Sequence, residues 1–142
     1  LPPGDGVFIP RRPDGVDLEV PMALPPILIE PANADGVFDY RSKYTPGGSR
    51  EICPAPVDPV ILRKVQERAL AAHLALGVSG CSRADFIVRD GEEPILLELN
   101  TLPGMTQGSL LPKALAAAGL SLADGLTRLM ELGLARARGR GK

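Results

Sequence analysis

Four polar residues, arranged in two pairs, could do chemistry together. Glu98 and Asn100 interrupt an otherwise apolar run, and Arg83 and Asp85 lie on the β-type run before it. Side chains two residues apart on a strand point to the same face, so each pair would share one face of a sheet. If the two runs pair, two carboxylates, one amide and one guanidinium would form a single group.

A turn signal between the two runs predicts that they do pair. The dipeptide Asp90-Gly91 separates them, and it is typical of β-hairpin turns. Carboxylate and amide oxygens suit Mg²⁺, which commonly binds one or two carboxylates together with water and substrate phosphates. A solvated face with an ordinary salt bridge is the alternative, and spacing alone does not decide between them. The opposite face is expected to pack in a core and carries Phe86, Val88, Leu97 and Leu99.

The segment after the second run favours the metal site. The stretch TLPGMTQGSLLPKA contains a Pro-Gly turn and leads into a predicted helix that begins near Ser109. Helix N-termini present unpaired N–H groups and a positive dipole end, and both bind anions. A divalent-metal site beside an anion-binding turn is what phosphoryl or acyl-phosphate chemistry requires.

Size and composition exclude several other classes. The 142 residues suffice for one domain with a core, and 44% of them are hydrophobic. A net charge of −1 and an aromatic fraction of 4% indicate neither a nucleic-acid nor an anionic-membrane partner. No apolar run approaches the ~20 residues that span a bilayer. Cys53 and Cys81 lack metal-site spacing, so we expect thiols in a reducing compartment. Because the chain opens on Leu1, we expect a piece of a longer protein.

The remaining patterns predict an α+β chain. The Pro- and Gly-rich first fifty residues contain short β-type stretches, and we interpret about 31–50 as a mobile loop. The predicted strands of this region are Val7–Ile9, Asp17–Val20 and Ile27–Glu30. A helix is predicted from an Asp58 cap to a stop at Gly77, with His73 in a structural role.

Two further helices are predicted near the end of the chain. The first begins near Ser109 and ends at Gly119. The second begins with a capping box of Ser121 and Asp124 and ends in a frayed basic tail, 136–142. Its apolar stripe is predicted to comprise Leu122, Leu126, Leu129 and Met130.

The motifs from Arg83 onward form a family signature. The pattern R-x-D-F, then L-E-L-N-T-L-P-G-M-T, S-L and P-K-A resembles the C-terminal portion of D-alanine–D-alanine ligases. These are ATP-grasp enzymes of peptidoglycan synthesis. The upstream segments FDYRSKY, ICPAP and AAHLALG resemble family segments in the same order, so the resemblance covers about residues 15–135. It implies the C-terminal lobe of an ATP-grasp fold, an antiparallel sheet with packed helices.

The resemblance implies roles for the four polar residues. Asp85, Glu98 and Asn100 would bind two Mg²⁺ ions, or Mn²⁺ in their place, that bridge the phosphates of ATP. Glu98 would be shared by both ions and so also contribute to ATP binding. Arg83 and the backbone N–H of Gly104 would stabilise the oxyanion over the acyl phosphate and the tetrahedral intermediate.

The resemblance also implies substrate contacts. Ser109 and Leu110 would bind the carboxylate of the second D-alanine through a hydroxyl and a backbone N–H. Lys43 would reach an ATP phosphate, and Tyr44 would help to close the mobile loop over the substrate. Leu97 would line the adenine pocket.

At the level of the whole protein, the resemblance implies ATP- and Mg²⁺-dependent formation of D-alanyl-D-alanine in the cytoplasm, by a homodimer. Residues 15–142 would be the catalytic lobe, with 1–14 unassigned. The N-terminal and central lobes would be missing, so we expect this chain alone not to ligate. Two alternatives stay open: an ATP-grasp ligase for another amino or hydroxy acid, and a non-catalytic half-module.

Overall fold

The computed structural model describes residues 3–8, 21–31 and 49–139, and its antiparallel strands and separate helices confirm the predicted α+β class. The strands are β1 (Pro3–Phe8), β2 (Met22–Ala23), β3 (Ile27–Pro31), β4 (Ser49–Ile52), β5 (Cys81–Arg89) and β6 (Glu93–Asn100). The helices are α1 (Pro59–Ala75), α2 (Leu110–Ala117) and α3 (Leu122–Gly139). The strands form one antiparallel sheet in the order β4-β3-β1-β5-β6, and β2 also pairs with β1.

The N-terminal strands agree only in part with the prediction. β1 begins at Pro3, earlier than the predicted start at Val7, and lies between β3 and β5. The strand predicted at Ile27–Glu30 is confirmed as β3, which ends one residue later, whereas β4, from Ser49, was not predicted. Because Pro31 belongs to β3 and Ser49 to β4, the predicted loop at about 31–50 is shorter at both ends. The predicted strand at 17–20 and the rest of that loop lie outside the described residues.

The local signals at both ends of α1 are confirmed. Asp58 is the N-cap, and its carboxylate accepts a hydrogen bond of 2.7 Å from the Val60 N–H. Pro59 occupies the first turn, where a missing N–H costs nothing. Gly77 follows the C-terminal end with a φ of +60°, which glycine adopts without strain.

Helices cover both faces of the sheet. On one face, α1 packs against Ala84 and Phe86 of β5, and Phe86 is fully buried. On the other face, Cys81 of β5 packs with the start of α2. Burial raises the pKa of the Cys81 thiol. Alternation along β5 thus directs its even-numbered residues to α1 and its odd-numbered residues to the α2 side.

The prediction that Leu97 faces the core is wrong. Asp85 pairs with Glu98 and Phe86 pairs with Leu96, so Leu97 is an extra residue in a β-bulge. Its side chain is 56% exposed. Simple two-residue alternation fails here because a bulge shifts the register by one residue. The other predicted core residues of this face, Phe86, Val88 and Leu99, do pack against α1.

The start of α3 is confirmed, but its predicted apolar stripe is partly wrong. The Asp124 N–H donates to Ser121 Oγ at 3.0 Å, and the Ser121 hydroxyl donates to Asp124 Oδ2 at 2.6 Å. Met130 is 63% exposed, whereas Arg128 is only 5% exposed. The buried side of the helix therefore includes a guanidinium, which approaches Glu131 at 3.5 Å.

The end of α3 also differs from the prediction. The helix continues to Gly139, so the first part of the predicted basic tail is helical rather than frayed. Arg136 donates a hydrogen bond to the Ser79 hydroxyl, which ties this turn to the segment before β5. None of the helices in the described part of the chain combines the length and the apolar character that crossing a bilayer needs.

His73 is a buried polar residue of α1. It is 1% exposed, and its Nδ1 lies 2.8 Å from the Ser82 hydroxyl on β5. Its Nε2 has no hydrogen-bond partner among the described residues. Burial lowers the pKa of His73, because desolvation penalises the charged imidazolium.

We expect the stability of the protein to fall as the pH decreases through the ordinary histidine range. The unfolded chain protonates His73 near its ordinary pKa of 6.5, whereas the folded chain resists protonation. The slope reaches at most about 1.4 kcal/mol per pH unit for one proton. Urea unfolding at several pH values should show this slope, and His73→Phe should reduce it. Equal slopes in the two proteins would contradict the prediction.

Two glycines of α3 should respond differently to the same substitution. A Cβ at Gly125 would lie 2.7 Å from Leu115 Cδ1, in a side chain that is 1% exposed, whereas a Cβ at Gly133 meets nothing within 4 Å. Gly133→Ala should stabilise the helix by about 0.5–1 kcal/mol. Gly125→Ala should be the less stable of the two by about 1 kcal/mol or more, because overpacking outweighs helix propensity. Chemical denaturation measures both, and the reverse order would refute the packing argument.

Candidate functional site

A cavity of about 640 Å³ lies on the face of the sheet where α2 begins. Its polar lining comes from β4, β5, β6 and the loop that leads into α2. The polar side chains that line it are Ser49, Glu51, Arg83, Asp85, Glu98, Asn100, Thr106 and Ser109.

The β5–β6 hairpin brings the four predicted polar residues together, as expected. Asp85 lies directly opposite Glu98, and Arg83 lies opposite Asn100. The predicted turn is also confirmed: the Glu92 N–H donates to the Arg89 carbonyl oxygen at 3.1 Å. Its two central residues, Asp90 and Gly91, have φ values of +53° and +74°. Such values fit a type I′ turn, whose backbone twist matches the right-handed twist of the two strands that it joins.

The Arg83 guanidinium lies between the two carboxylates. Its Nε and Nη2 donate to Asp85 Oδ1 and Oδ2 at 2.8 and 2.9 Å. Its Nη2 also lies 3.6 Å from Glu98 Oε1. The side chains of Arg83 and Asp85 are less than one-fifth exposed, so water screens this pair less than a surface salt bridge.

The donor set of this cluster fits Mg²⁺. A carboxylate offers about four lone-pair sites, and Arg83 engages two of those on Asp85. The Asn100 side-chain oxygen accepts from the Leu102 N–H at 2.9 Å, which fixes the orientation of the amide. Within the described ranges no group of three or more His, Cys, Asp and Glu side chains could hold a metal. A site here would thus combine two carboxylates, one amide and non-protein oxygens.

The loop after β6 brings Ser109 against Gly104. Ser109 is the N-cap of α2, as predicted, but its hydroxyl makes no capping hydrogen bond. The hydroxyl lies 2.8 Å from Thr106 Oγ1 instead. A Cβ at Gly104 would lie only 2.7 Å from Ser109 Oγ, so no larger residue fits at 104 without displacing it. Leu110, the first residue of α2, lines the same cavity.

Sequence reasoning missed an ion pair that joins two walls of the cavity. Lys113 of α2 donates to the Glu51 carboxylate of β4, and Glu51 lines the cavity. The two residues lie 62 positions apart. Because nothing local in the sequence relates them, this pair could be found only from the fold.

Apolar side chains continue the site face toward the hairpin turn. Ile87 pairs with Ile95, and they are 41% and 37% exposed. Leu97 lies beside Glu98 on β6 and is also exposed. We name these three exposed residues of β5 and β6 the apolar platform. Alternation from Asp85 would have indicated Ile87, but the bulge conceals the position of Leu97.

Two predicted site residues are not placed. Lys43 and Tyr44, which the family resemblance would assign to ATP and to loop closure, lie outside the described residues. Their predicted roles stay predictions.

Comparisons with known proteins identify the family of the chain. Residues 17–131 match the family described as D-ala D-ala ligase C-terminus. The D-alanine–D-alanine ligase of Oleidesulfovibrio alaskensis is 58% identical over 113 residues, which cover 80% of this chain and 36% of that protein. The ligase of Maridesulfovibrio salexigens is 43% identical over 134 residues, which cover 92% of this chain and 44% of that protein. The chain thus spans less than half of these relatives.

A solved structure shows the same fold. The crystal structure of the D-alanine–D-alanine ligase from Bacillus anthracis complexed with ATP superposes with a TM-score of 0.71 at 33% identity. The match covers 99% of this chain and 41% of that one. The sheet and its flanking helices are therefore the C-terminal lobe of an ATP-grasp fold, and the chain belongs to the D-alanine–D-alanine ligase family.

Proposed function

We propose that this chain forms the metal-binding, oxyanion and second-substrate half of the active site of a D-alanine–D-alanine ligase. The reaction joins two D-alanines with ATP, through an acyl phosphate, for peptidoglycan synthesis in the cytoplasm. One observation supports this most strongly: Arg83, Asp85, Glu98 and Asn100 face the same cavity as Ser109. Residues suited to bind a metal and a helix start suited to bind an anion thus line one cavity, in a chain of this family.

The complete active site needs more than this chain. The relatives are more than twice as long as the segments that match. We infer that an N-terminal portion binds the first D-alanine and covers the nucleotide, and that the completed protein is a homodimer. The chain alone is therefore expected to be inactive. From the segment before β4, Lys43 would reach an ATP phosphate and Tyr44 would help to close the site over the substrate.

Asp85, Glu98 and Asn100 would hold the Mg²⁺ ions. When bound, these ions neutralise phosphate charge and position ATP for transfer of its terminal phosphoryl group. The single guanidinium of Arg83 lies within 4 Å of both carboxylates, which limits their mutual repulsion before any cation binds.

Arg83 and Gly104 would stabilise the negative charge that develops in both steps. In the first step, a carboxylate oxygen of one D-alanine attacks the terminal phosphorus of ATP, and ADP leaves. In the second, the amine nitrogen of the other D-alanine attacks the acyl carbon, phosphate leaves and the amine loses a proton. A guanidinium and an aimed backbone N–H lower the energy of the oxyanion at that carbon.

The start of α2 would bind the carboxylate of the second D-alanine. The Ser109 hydroxyl does not cap the helix, so it accepts no hydrogen bond from the N–H groups of the first turn. Such N–H groups and the positive helix dipole favour an anion. The Leu110 N–H and the Ser109 hydroxyl are the donors that we assign to this role.

The apolar platform would hold the adenine ring. Ile87, Ile95 and Leu97 expose apolar surface on β5 and β6, the same two strands that carry Asp85 and Glu98, so a nucleotide whose phosphates lie near these carboxylates could place its base on this surface. Burying this surface under a flat base is favourable by about 25 cal/mol per Å².

Glu98→Gln tests the metal role in the completed ligase, by which we mean this chain preceded by the N-terminal portion that its relatives have. The change keeps the shape but removes the charge from one of two carboxylates. We expect at least a tenfold loss of turnover and a higher Mg²⁺ requirement. Calorimetry should also show weaker Mg²⁺–nucleotide binding.

The matched control for this test is Glu92→Gln, at the exposed hairpin turn at the other end of β6. It should leave both measurements unchanged. Unaltered turnover and Mg²⁺ dependence in Glu98→Gln would overturn the metal role.

Gly104→Ala tests the close approach between the loop and Ser109. The new methyl would lie 2.7 Å from Ser109 Oγ and 3.3 Å from Ser109 Cβ, so the loop or the hydroxyl must move. We expect kcat/KM of the completed ligase to fall by about tenfold or more, since small displacements of positioned groups are costly. Gly108→Ala, at a glycine that lines the same cavity with nothing within 4 Å of its built Cβ, is the control. Equal activities of the two variants would refute the argument.

A further inference from the structure

We propose that Thr106 is a positioning residue that fixes the Ser109 hydroxyl as a hydrogen-bond donor to the second substrate. The inference rests on the proposed function, in which Ser109 binds the carboxylate of the second D-alanine. Thr106 has no role in that proposal. Its side chain lines the cavity through which this substrate would enter.

The first observation is that Ser109 does not behave as an ordinary N-cap serine. The backbone of Ser109 is extended, with φ −79° and ψ 161°, as an N-cap requires. A capping hydroxyl normally accepts from the second or third N–H of the helix. The third residue of α2 is Pro112, which has no N–H, and the hydroxyl makes no capping bond. The hydroxyl is therefore directed elsewhere.

The second observation is that Thr106 contacts both the backbone and the side chain of Ser109. The Ser109 N–H donates to the Thr106 carbonyl oxygen at 2.8 Å. The two side-chain oxygens also lie 2.8 Å apart. One residue thus fixes the backbone and the rotamer of the serine, at a position three residues before it.

The third observation is that Gly104 limits the space around the hydroxyl. Ser109 Oγ lies so close that a Cβ built on Gly104 would be 2.7 Å away. The oxygen thus has Gly104 on one side and Thr106 Oγ1 on another, and other rotamers of Ser109 would lose the Thr106 contact.

The direction of the hydrogen bond follows from the chemistry of the ligand. A carboxylate only accepts, so Ser109 must donate its one hydroxyl proton to it. Thr106 must then donate its own proton to Ser109 Oγ. Without Thr106, the serine hydroxyl would lose the donor that holds its oxygen, and it would turn away from the substrate for part of the time.

The experiment compares Thr106→Val with Thr106→Ser in the completed ligase. Valine has nearly the same shape but no hydroxyl, whereas serine keeps the hydroxyl. For Thr106→Val we expect the KM of the amine-donating D-alanine to rise about five- to tenfold, the effect of one hydrogen bond. We expect kcat and the KM for ATP to change less than about twofold, and Thr106→Ser to behave like the parent protein. Thr127→Val, at an exposed threonine of α3, is the control for the loss of a threonine hydroxyl.

A double-mutant cycle separates this inference from the role of Ser109 itself. If Thr106 acts through Ser109, then Ser109→Ala alone and the Ser109→Ala/Thr106→Val double variant should have the same KM. If Ser109→Ala raises the KM but Thr106→Val does not, the inference about Thr106 is wrong and the proposed function stands. If Ser109→Ala leaves the KM unchanged, the proposed role of Ser109 fails as well. Additive effects of the two substitutions would also overturn the positioning role.

Discussion

The register of β5 against β6 is the constraint on which the rest of the site depends. It places Arg83 opposite Asn100 and Asp85 opposite Glu98, so four polar groups converge on one face. Like charges directly opposite on paired strands are unfavourable, and here a guanidinium shared by both carboxylates offsets this. A register change by one residue would send one pair into the α1 core, where unpaired charges are costly.

The two faces of the sheet differ in role: one packs against α1, and the other lines the cavity. α1 covers one face through apolar contacts, and this packing does not depend on a ligand. On the other face, residues of α2 and α3 pack among the described part of the chain, and the cavity opens beside the start of α2. The chain reaches α2 from β6 through a loop of nine residues, 101–109, by the element bounds. Strand carboxylates and helix-start donors therefore come from one continuous segment, which fixes their separation.

Features that depend on residues close together in the sequence could be predicted from it. The Asp58 cap, the hairpin turn and the grouping of the four polar residues depend on local spacing, and all are confirmed. The place of β1 in the sheet and the Lys113–Glu51 pair depend on distant parts of the chain, and no local pattern encodes them. Two-residue alternation also could not indicate the bulge, because the extra residue is apolar like its neighbours.

The bulge at Leu97 has a consequence for how such a site can diversify. The strand pairs on either side of it, Asp85–Glu98 and Phe86–Leu96, would be consecutive if Leu97 were absent. The ladder therefore accommodates this side chain without using it for pairing or for the core. In the proposed nucleotide site, substitutions at Leu97 would alter the surface offered to the base while the acidic pair and the α1 packing stay in place. Under that proposal, ligand preference and fold stability would depend on different residues of a single strand.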